Sequence, residues 1–211
     1  MDAIQSHYLT AGHPIESATG VLIMLHGRGG TASDIMDLSD ELQIEGMAIF
    51  APQALQNSWY PHSFMAPIAT NQPSVNLSLG IVGDLVTHAL NYGIVRERIF
   101  FLGFSQGACL MLEYISRNAG KYGGAIAFTG GLIGEVLVND NYEGDFLGTR
   151  VLITTGNMDP HVPVKRVKET VAQLELLQAN VRLEIYKDKP HTILANEITI
   201  ANDWIFSYNQ V

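Results

Sequence analysis

Runs that are apolar at every position alternate along this chain with longer stretches in which apolar residues return every third or fourth place. Val21-Leu22-Ile23-Met24-Leu25 is the first of the wholly apolar runs. A strand covered on both faces has this character, because neither side of it meets water. The stretch that follows carries Ile35, Leu38, Leu42 and Ile44 at roughly helical spacing, with Thr31 and Ser33 as candidate caps, and predicts a helix through residue 44. Further strands are expected at 47–51, 98–102, 125–129, 151–155 and 181–186, and helices at about 75–92, 106–118, 164–178 and 193–206. Strand and helix in turn call for an α/β fold, a mostly parallel sheet with helices on both faces. No repeat, low-complexity tract or interdomain linker interrupts the series. With 211 residues, one domain spanning 1–211 is expected. Two irregular stretches, 53–72 and 130–149, are long for connections in a compact domain, and such loops are more often functional than idle.

Parallel sheets gather their sites at the carboxyl ends of their strands. One strand end runs straight into Gly103-Phe104-Ser105-Gln106-Gly107, with a helix beginning at once. A serine on so tight a strand-to-helix turn has its hydroxyl pushed out over the sheet, and side chains at the flanking glycines would collide with the neighbouring strand or helix. The plainer reading makes Ser105 a helix cap between two turn glycines, but a cap needs no second glycine two residues into the helix. A serine hydroxyl needs a base to take its proton, and the base needs a third group to orient it. Two other strand ends supply candidates: Gly156-Asn157-Met158-Asp159-Pro160-His161-Val162-Pro163 and Lys187-Asp188-Lys189-Pro190-His191. Ser105, Asp159 and His191 follow in the chain order of an α/β-hydrolase triad. Taken alone, Asp159 is also an ordinary turn residue before proline, and His191 a cap for the last helix. His161 and His62 are rival bases and Asp188 a rival acid. His161 shares the loop of Asp159, which favours a place in the pocket wall.

An oxyanion formed during acyl transfer needs donors, ordinarily the N–H after the nucleophile and one from the first strand-to-helix loop. Here these are the amides of Gln106 and Arg28, with glycines 27, 29 and 30 letting the loop bend. The same loop has neither Gly-x-Gly-x-x-Gly nor a Walker lysine, which argues against nucleotide binding. Trp59, Tyr60, Phe64 and Met65 are candidate pocket residues, although an aromatic cluster beside a proline also serves loop packing. The Arg28 side chain is expected either to meet an anionic substrate or to stand in solvent.

Composition narrows the partners. Twelve Lys and Arg against 21 Asp and Glu give a net charge of −9, which repels phosphate backbones and anionic membranes, so no nucleic-acid partner is expected. The hydrophobic share of 47% and charged share of 16% are those of a folded protein. The lone cysteine, Cys109, excludes an internal disulfide and a cysteine-cluster metal site and fits a reducing compartment. Residues 1–7 lack the basic and apolar regions of a signal peptide, and no run approaches the length of a membrane span, so a soluble cytoplasmic protein without membrane insertion is expected.

Leu25-His26-Gly27-Arg28-Gly29, Trp59-Tyr60, Gly103-Phe104-Ser105-Gln106-Gly107, Asp159-Pro160-His161-Val162-Pro163 and Pro190-His191, taken in order, resemble the phospholipase/carboxylesterase family of small α/β hydrolases, which includes acyl-protein thioesterases and bacterial carboxylesterases. The likeness runs from about residue 20 to 206. It implies an α/β-hydrolase fold, Ser105 as nucleophile, Asp159 as acid, His191 as base and the amides of Arg28 and Gln106 as oxyanion hole, with no metal or organic cofactor. It implies a small-molecule ester as substrate, and dimers are common in the family. Ala108 stands where the family often has a further glycine, and Gly30-Thr31 where acyl-protein thioesterases commonly have an aspartate; both argue against a lipidated-protein substrate. Related dienelactone hydrolases use a cysteine nucleophile, but Cys109 lies inside the expected helix and reads as packed core. Only about twenty residues, with four acidic side chains among them, are available at 130–149 for a lid, which predicts esters of short or medium acyl chain. A thioesterase or lysophospholipase, and a non-catalytic binder on the same fold, are the alternatives.

Overall fold

A computed structural model describes residues 8–207. Its strands are β1 (Tyr8–Gly12), β2 (Gly20–Leu25), β3 (Met47–Pro52), β4 (Ile99–Phe104), β5 (Gly124–Phe128), β6 (Arg150–Gly156) and β7 (Asn180–Tyr186). Its helices are α1 (Ala32–Met36), α2 (Ser74–Asn91), α3 (Gln106–Arg117), α4 (Val164–Leu176) and α5 (Ala195–Ala201). The strands form one sheet in the order β1-β3-β2-β4-β5-β6-β7, parallel throughout except for β1, which pairs antiparallel with β3 at the edge. This is the mostly parallel α/β sheet expected from the alternating runs, arranged in the α/β-hydrolase fold that the resemblance implied. The stretch 1–7, examined above for a targeting signal, lies outside the described residues. No helix among the described residues is long and apolar enough to cross a membrane.

The apolar runs are apolar at every position because the sheet is covered twice. Val21, Ile23 and Leu25 of β2 point into one cluster with side chains of α2, α3 and α4, while Leu22 and Met24 point into another with α1, α5 and the turn after it. Every residue of β2 and β3 is buried. Complete burial of one such aliphatic side chain is worth about 1.5–3 kcal/mol, so the central strands fix the register of everything they carry at their ends.

One strand is additional to those expected, and two expected helices shift. Strand β1 has only two half-buried positions, so its sequence lacks the apolar signal of an interior strand. The helix expected through residue 44 is α1 followed by a 3₁₀ segment at Asp37–Glu41, with Thr31 capping α1 through its hydroxyl. The last helix begins at Ala195 and widens into a π-helical turn at Asn202–Phe206.

The long stretch after β5 is fastened to the body. Leu132, Ile133, Tyr142 and Phe146 are buried in the larger core cluster. The buried Glu113 of α3 accepts hydrogen bonds from the Ile133 amide at 3.0 Å and the Tyr142 hydroxyl at 3.3 Å. From the other side, the Arg166 guanidinium of α4 donates to the carbonyls of Leu132, Gly134 and Glu135. Two helices therefore grip a segment that has almost no regular structure of its own.

Candidate active site

Strand β4 ends at Phe104, and Ser105 turns the chain into α3 with φ 53° and ψ −118°. A positive φ is strained for a residue with a side chain. It is held here because the Ser105 amide donates to the Phe128 carbonyl at 3.0 Å and its carbonyl accepts from the Cys109 amide at 3.0 Å. The hydroxyl caps nothing in α3, which removes the plainer reading of this serine. The two glycines are required by close approach. A Cβ at Gly103 would lie 2.7 Å from the backbone of Ala108; one at Gly107 would lie 2.5 Å from the His26 carbonyl oxygen and closer still to that of Leu25.

The Ser105 hydroxyl oxygen lies 2.8 Å from Nε2 of His191, and Nδ1 of His191 lies 2.6 Å from Oδ2 of Asp159. Loops after three different strands thus meet above one edge of the sheet. A carboxylate only accepts, so Nδ1 carries the ring proton and Nε2 is left to accept from the serine. The Asp159 side chain is fully buried. Its other oxygen accepts from the amides of His161 at 2.8 Å and Val162 at 2.9 Å. Burial pushes the Asp159 pKa up, but the His191 contact and these two amides outweigh it and hold the carboxyl below its ordinary value. The imidazole of His191 lies between the rings of Phe104, 5.2 Å away, and His161, 4.9 Å away.

A depressed carboxyl pKa stabilises the fold above the unfolded-state value near 3.9, and that contribution is lost as pH falls through the lower folded value. Asp159→Asn is therefore expected to lower stability near neutral pH, the difference from wild type shrinking below about pH 4. Urea titrations across pH 3–7 measure this. A difference that widens on acidification would contradict the assignment.

Of the first-loop amides, Gly29 donates to Asn57 and Gly30 to Gly27, while that of Arg28 has no backbone acceptor among the described residues. The Gln106 amide opens α3, where no intrahelical acceptor exists. Arg28, Ser105 and Gln106 all line one cavity of about 380 Å³. The cavity also takes in Tyr60, Phe64, Cys109, His161 and His191. His26 shapes the loop: its Nε2 accepts from the Ala54 amide at 3.1 Å, so Nδ1 carries the proton and donates to the Gly27 carbonyl at 2.7 Å. Burial lowers the His26 pKa and favours this neutral form.

Several expected roles change. Trp59 and Met65 do not line the cavity. Trp59 is spent on structure, its indole N–H donating to the His26 carbonyl at 2.8 Å, while Met65 packs against the core. The Arg28 guanidinium neither waits for an anion nor stands free; it donates to the carbonyls of Tyr60, Pro61 and His62 at 2.9, 2.7 and 2.6 Å. Gln106 holds the same segment through its side chain, to Trp59 and Tyr60. Asp188 is exposed and its amide bonds Asn157, and it is Asp159 that meets His191. His62 lies on the cavity rim, and it is His191 that meets Ser105. The Cys109 thiol is buried, its pKa pushed up to about 12, which keeps it protonated.

Residues 10–209 match the family model described as phospholipase/carboxylesterase. The chain belongs to the phospholipase/carboxylesterase family. It is 54% identical to a phospholipase/carboxylesterase from Dyadobacter fermentans, whose crystal structure it matches with a TM-score of 0.94 over 95% of this chain and 96% of that one. It is 26% identical to acyl-protein thioesterase 1 of Saccharomyces cerevisiae over 87% of this chain and 90% of the relative. A carboxylesterase from Mesorhizobium loti, at 20% identity, shares the fold with a TM-score of 0.75 over 94% of this chain and 93% of that one. The phospholipase/carboxylesterase family is one of hydrolases that takes in both thioesterases and carboxylesterases.

Sequence reasoning passed over Gln53, Lys189 and Glu197. Gln53 accepts from the Ala32 amide and bonds Asn57, bracing the first loop. Lys189 and Glu197 form a buried ion pair behind His191. No motif marks either of them: Lys189 lies in a polar turn and Glu197 among the mainly apolar residues of α5, and only the fold brings them together.

Proposed function

We propose that this chain is a serine hydrolase that cleaves carboxylic esters of short to medium acyl chain through an acyl-enzyme. The contacts of 2.8 Å from Ser105 to His191 and 2.6 Å from His191 to Asp159 carry the reading. Ser105 attacks the ester carbonyl as His191 takes its proton; His191 then protonates the departing alcohol and activates a water that releases the acid. Asp159 stays ionised, holds the useful tautomer and offsets the charge that forms on the imidazole. The amides of Arg28 and Gln106 receive the oxyanion, and the fixed Arg28 side chain keeps its own backbone from swinging away.

Chain length is argued from the cavity. Its lining includes the buried Cys109, Tyr60 and Phe64, and the segment that would cover a long chain is gripped by Glu113 and Arg166. A p-nitrophenyl butyrate is expected to turn over faster, by about tenfold or more in kcat/KM, than the palmitate. Faster cleavage of the palmitate would overturn the short-chain assignment.

Thioester cleavage is the second reading, favoured by the likeness to the yeast acyl-protein thioesterase over most of the chain. Oxygen and thioesters pass through the same acyl-enzyme, so matched butyryl substrates of each kind decide between them. A fluorophosphonate probe separates both from a ligand-binding role: labelling at Ser105 supports a hydrolase, and saturable ligand binding without labelling supports a binder.

A further inference from the structure

We propose that Lys189, through its ion pair with Glu197, is a positioning residue for His191. The inference rests on the reading of His191 as the base. Lysine and glutamate are almost never wholly buried, yet both of these side chains are 0% exposed. The Lys189 ammonium lies 2.6 Å from Oε1 of Glu197 and donates to the Thr129 hydroxyl at 3.2 Å. The same carboxylate oxygen accepts from the Thr154 hydroxyl, and the other accepts from the Leu194 amide at 2.7 Å. The ammonium also stands 5.8 Å from the centre of the Tyr186 ring.

Position in the chain gives these contacts their meaning. Thr129 follows β5, Thr154 lies in β6, Tyr186 ends β7 and Leu194 precedes α5. His191 lies between Lys189 and Leu194, so one carboxylate pins the loop on both sides of it. The backbone closes the same way, since a Cβ at Gly156 would lie 2.6 Å from the Lys189 carbonyl oxygen. Between Tyr186 and Ala195 the chain has no helix or strand to hold the imidazole at its place. A buried ion pair is seldom a net source of stability compared with apolar side chains of the same volume. What it supplies is direction: an ammonium with several acceptors and a carboxylate with several donors fit one arrangement of four chain segments, whereas apolar side chains would fit many.

The test uses the full chain and four variants: Lys189→Met, Glu197→Gln, the double variant K189M/E197Q, and Thr129→Val. Lys189→Met strands a buried carboxylate and is expected to lower the melting temperature. The double variant removes both charges and should recover most of that loss. In both, kcat is expected to remain down by roughly 10- to 100-fold with KM within about twofold, because a shifted base affects the chemical step more than binding. Thr129→Val takes away one neutral partner and is the mild variant if the others fail to fold, with a loss of about threefold. The deciding readout is the cycle with His191→Ala. In that background Lys189→Met, or Thr129→Val in its place, should leave the residual rate within about twofold, since there is no imidazole left to misplace. An equal loss in both backgrounds, or a folded double variant with wild-type kcat, overturns the proposal. Full turnover by His191→Ala alone would overturn the reading of the site itself, which is a separate result.

Discussion

Replacing Ser105 with alanine is expected to reduce ester turnover by about 10⁴- to 10⁶-fold and to abolish fluorophosphonate labelling, with the fold intact. The size follows from the division of labour. In the proposed mechanism no acyl-enzyme forms without the hydroxyl, and what would remain is the polarisation by the two proposed amides and the binding the cavity provides. Stability should change little. Among the described residues the Ser105 hydroxyl bonds only the His191 ring and caps nothing in α3, and alanine meets the same backbone strain at φ 53° that serine already bears. Matched melting curves with turnover and probe labelling check both halves. Labelling that survives at another residue, or turnover near wild type, would remove Ser105 from its role.

Gly107→Ala carries the second large effect, through the backbone instead of the chemistry. The added methyl meets the carbonyl oxygens of Leu25 and His26, at the end of a wholly buried strand. Neither can withdraw, because β2 is held between β3 and β4 and His26 is tied to Gly27, Ala54 and Trp59. The helix must instead lift from the sheet, shifting the Gln106 amide and carrying the Ser105 hydroxyl away from His191. A cost of about 3 kcal/mol or more is expected, which corresponds to a melting temperature lower by roughly 6–12 °C in a chain of this size. Turnover in the folded fraction should fall by about 100-fold, the usual consequence of an ångström of misplacement. Thermal melting and kcat measured well below the transition test this. A variant that melts and turns over like wild type would mean that the elbow is far more compliant than its contacts allow.

The parts of this molecule that were legible in the sequence are those where one local rule decides the outcome. Five wholly apolar residues at 21–25 make a doubly covered strand wherever they are placed, and two glycines around Ser105 satisfy a steric demand that arises within a few residues. Asp159 and His191 were legible because each follows a strand end, and parallel strands bring such ends together. What stayed hidden depends on distant partners. Whether Trp59 faces a ligand or the back of a loop turns on the His26 carbonyl, 33 residues earlier in the chain. The guanidinium of Arg28 finds three carbonyls on a segment more than thirty residues away. The edge strand β1 is set by pairing with β3, and its own residues carry no comparable signal.

The grip of Glu113 and Arg166 on the segment after β5 has a bearing on how substrate arrives. A flap that swings open at an oil–water boundary needs a seam where it can part, and here that seam is closed by a carboxylate from one side and a guanidinium from the other. On the proposed function, that suits substrates that diffuse in singly from bulk water.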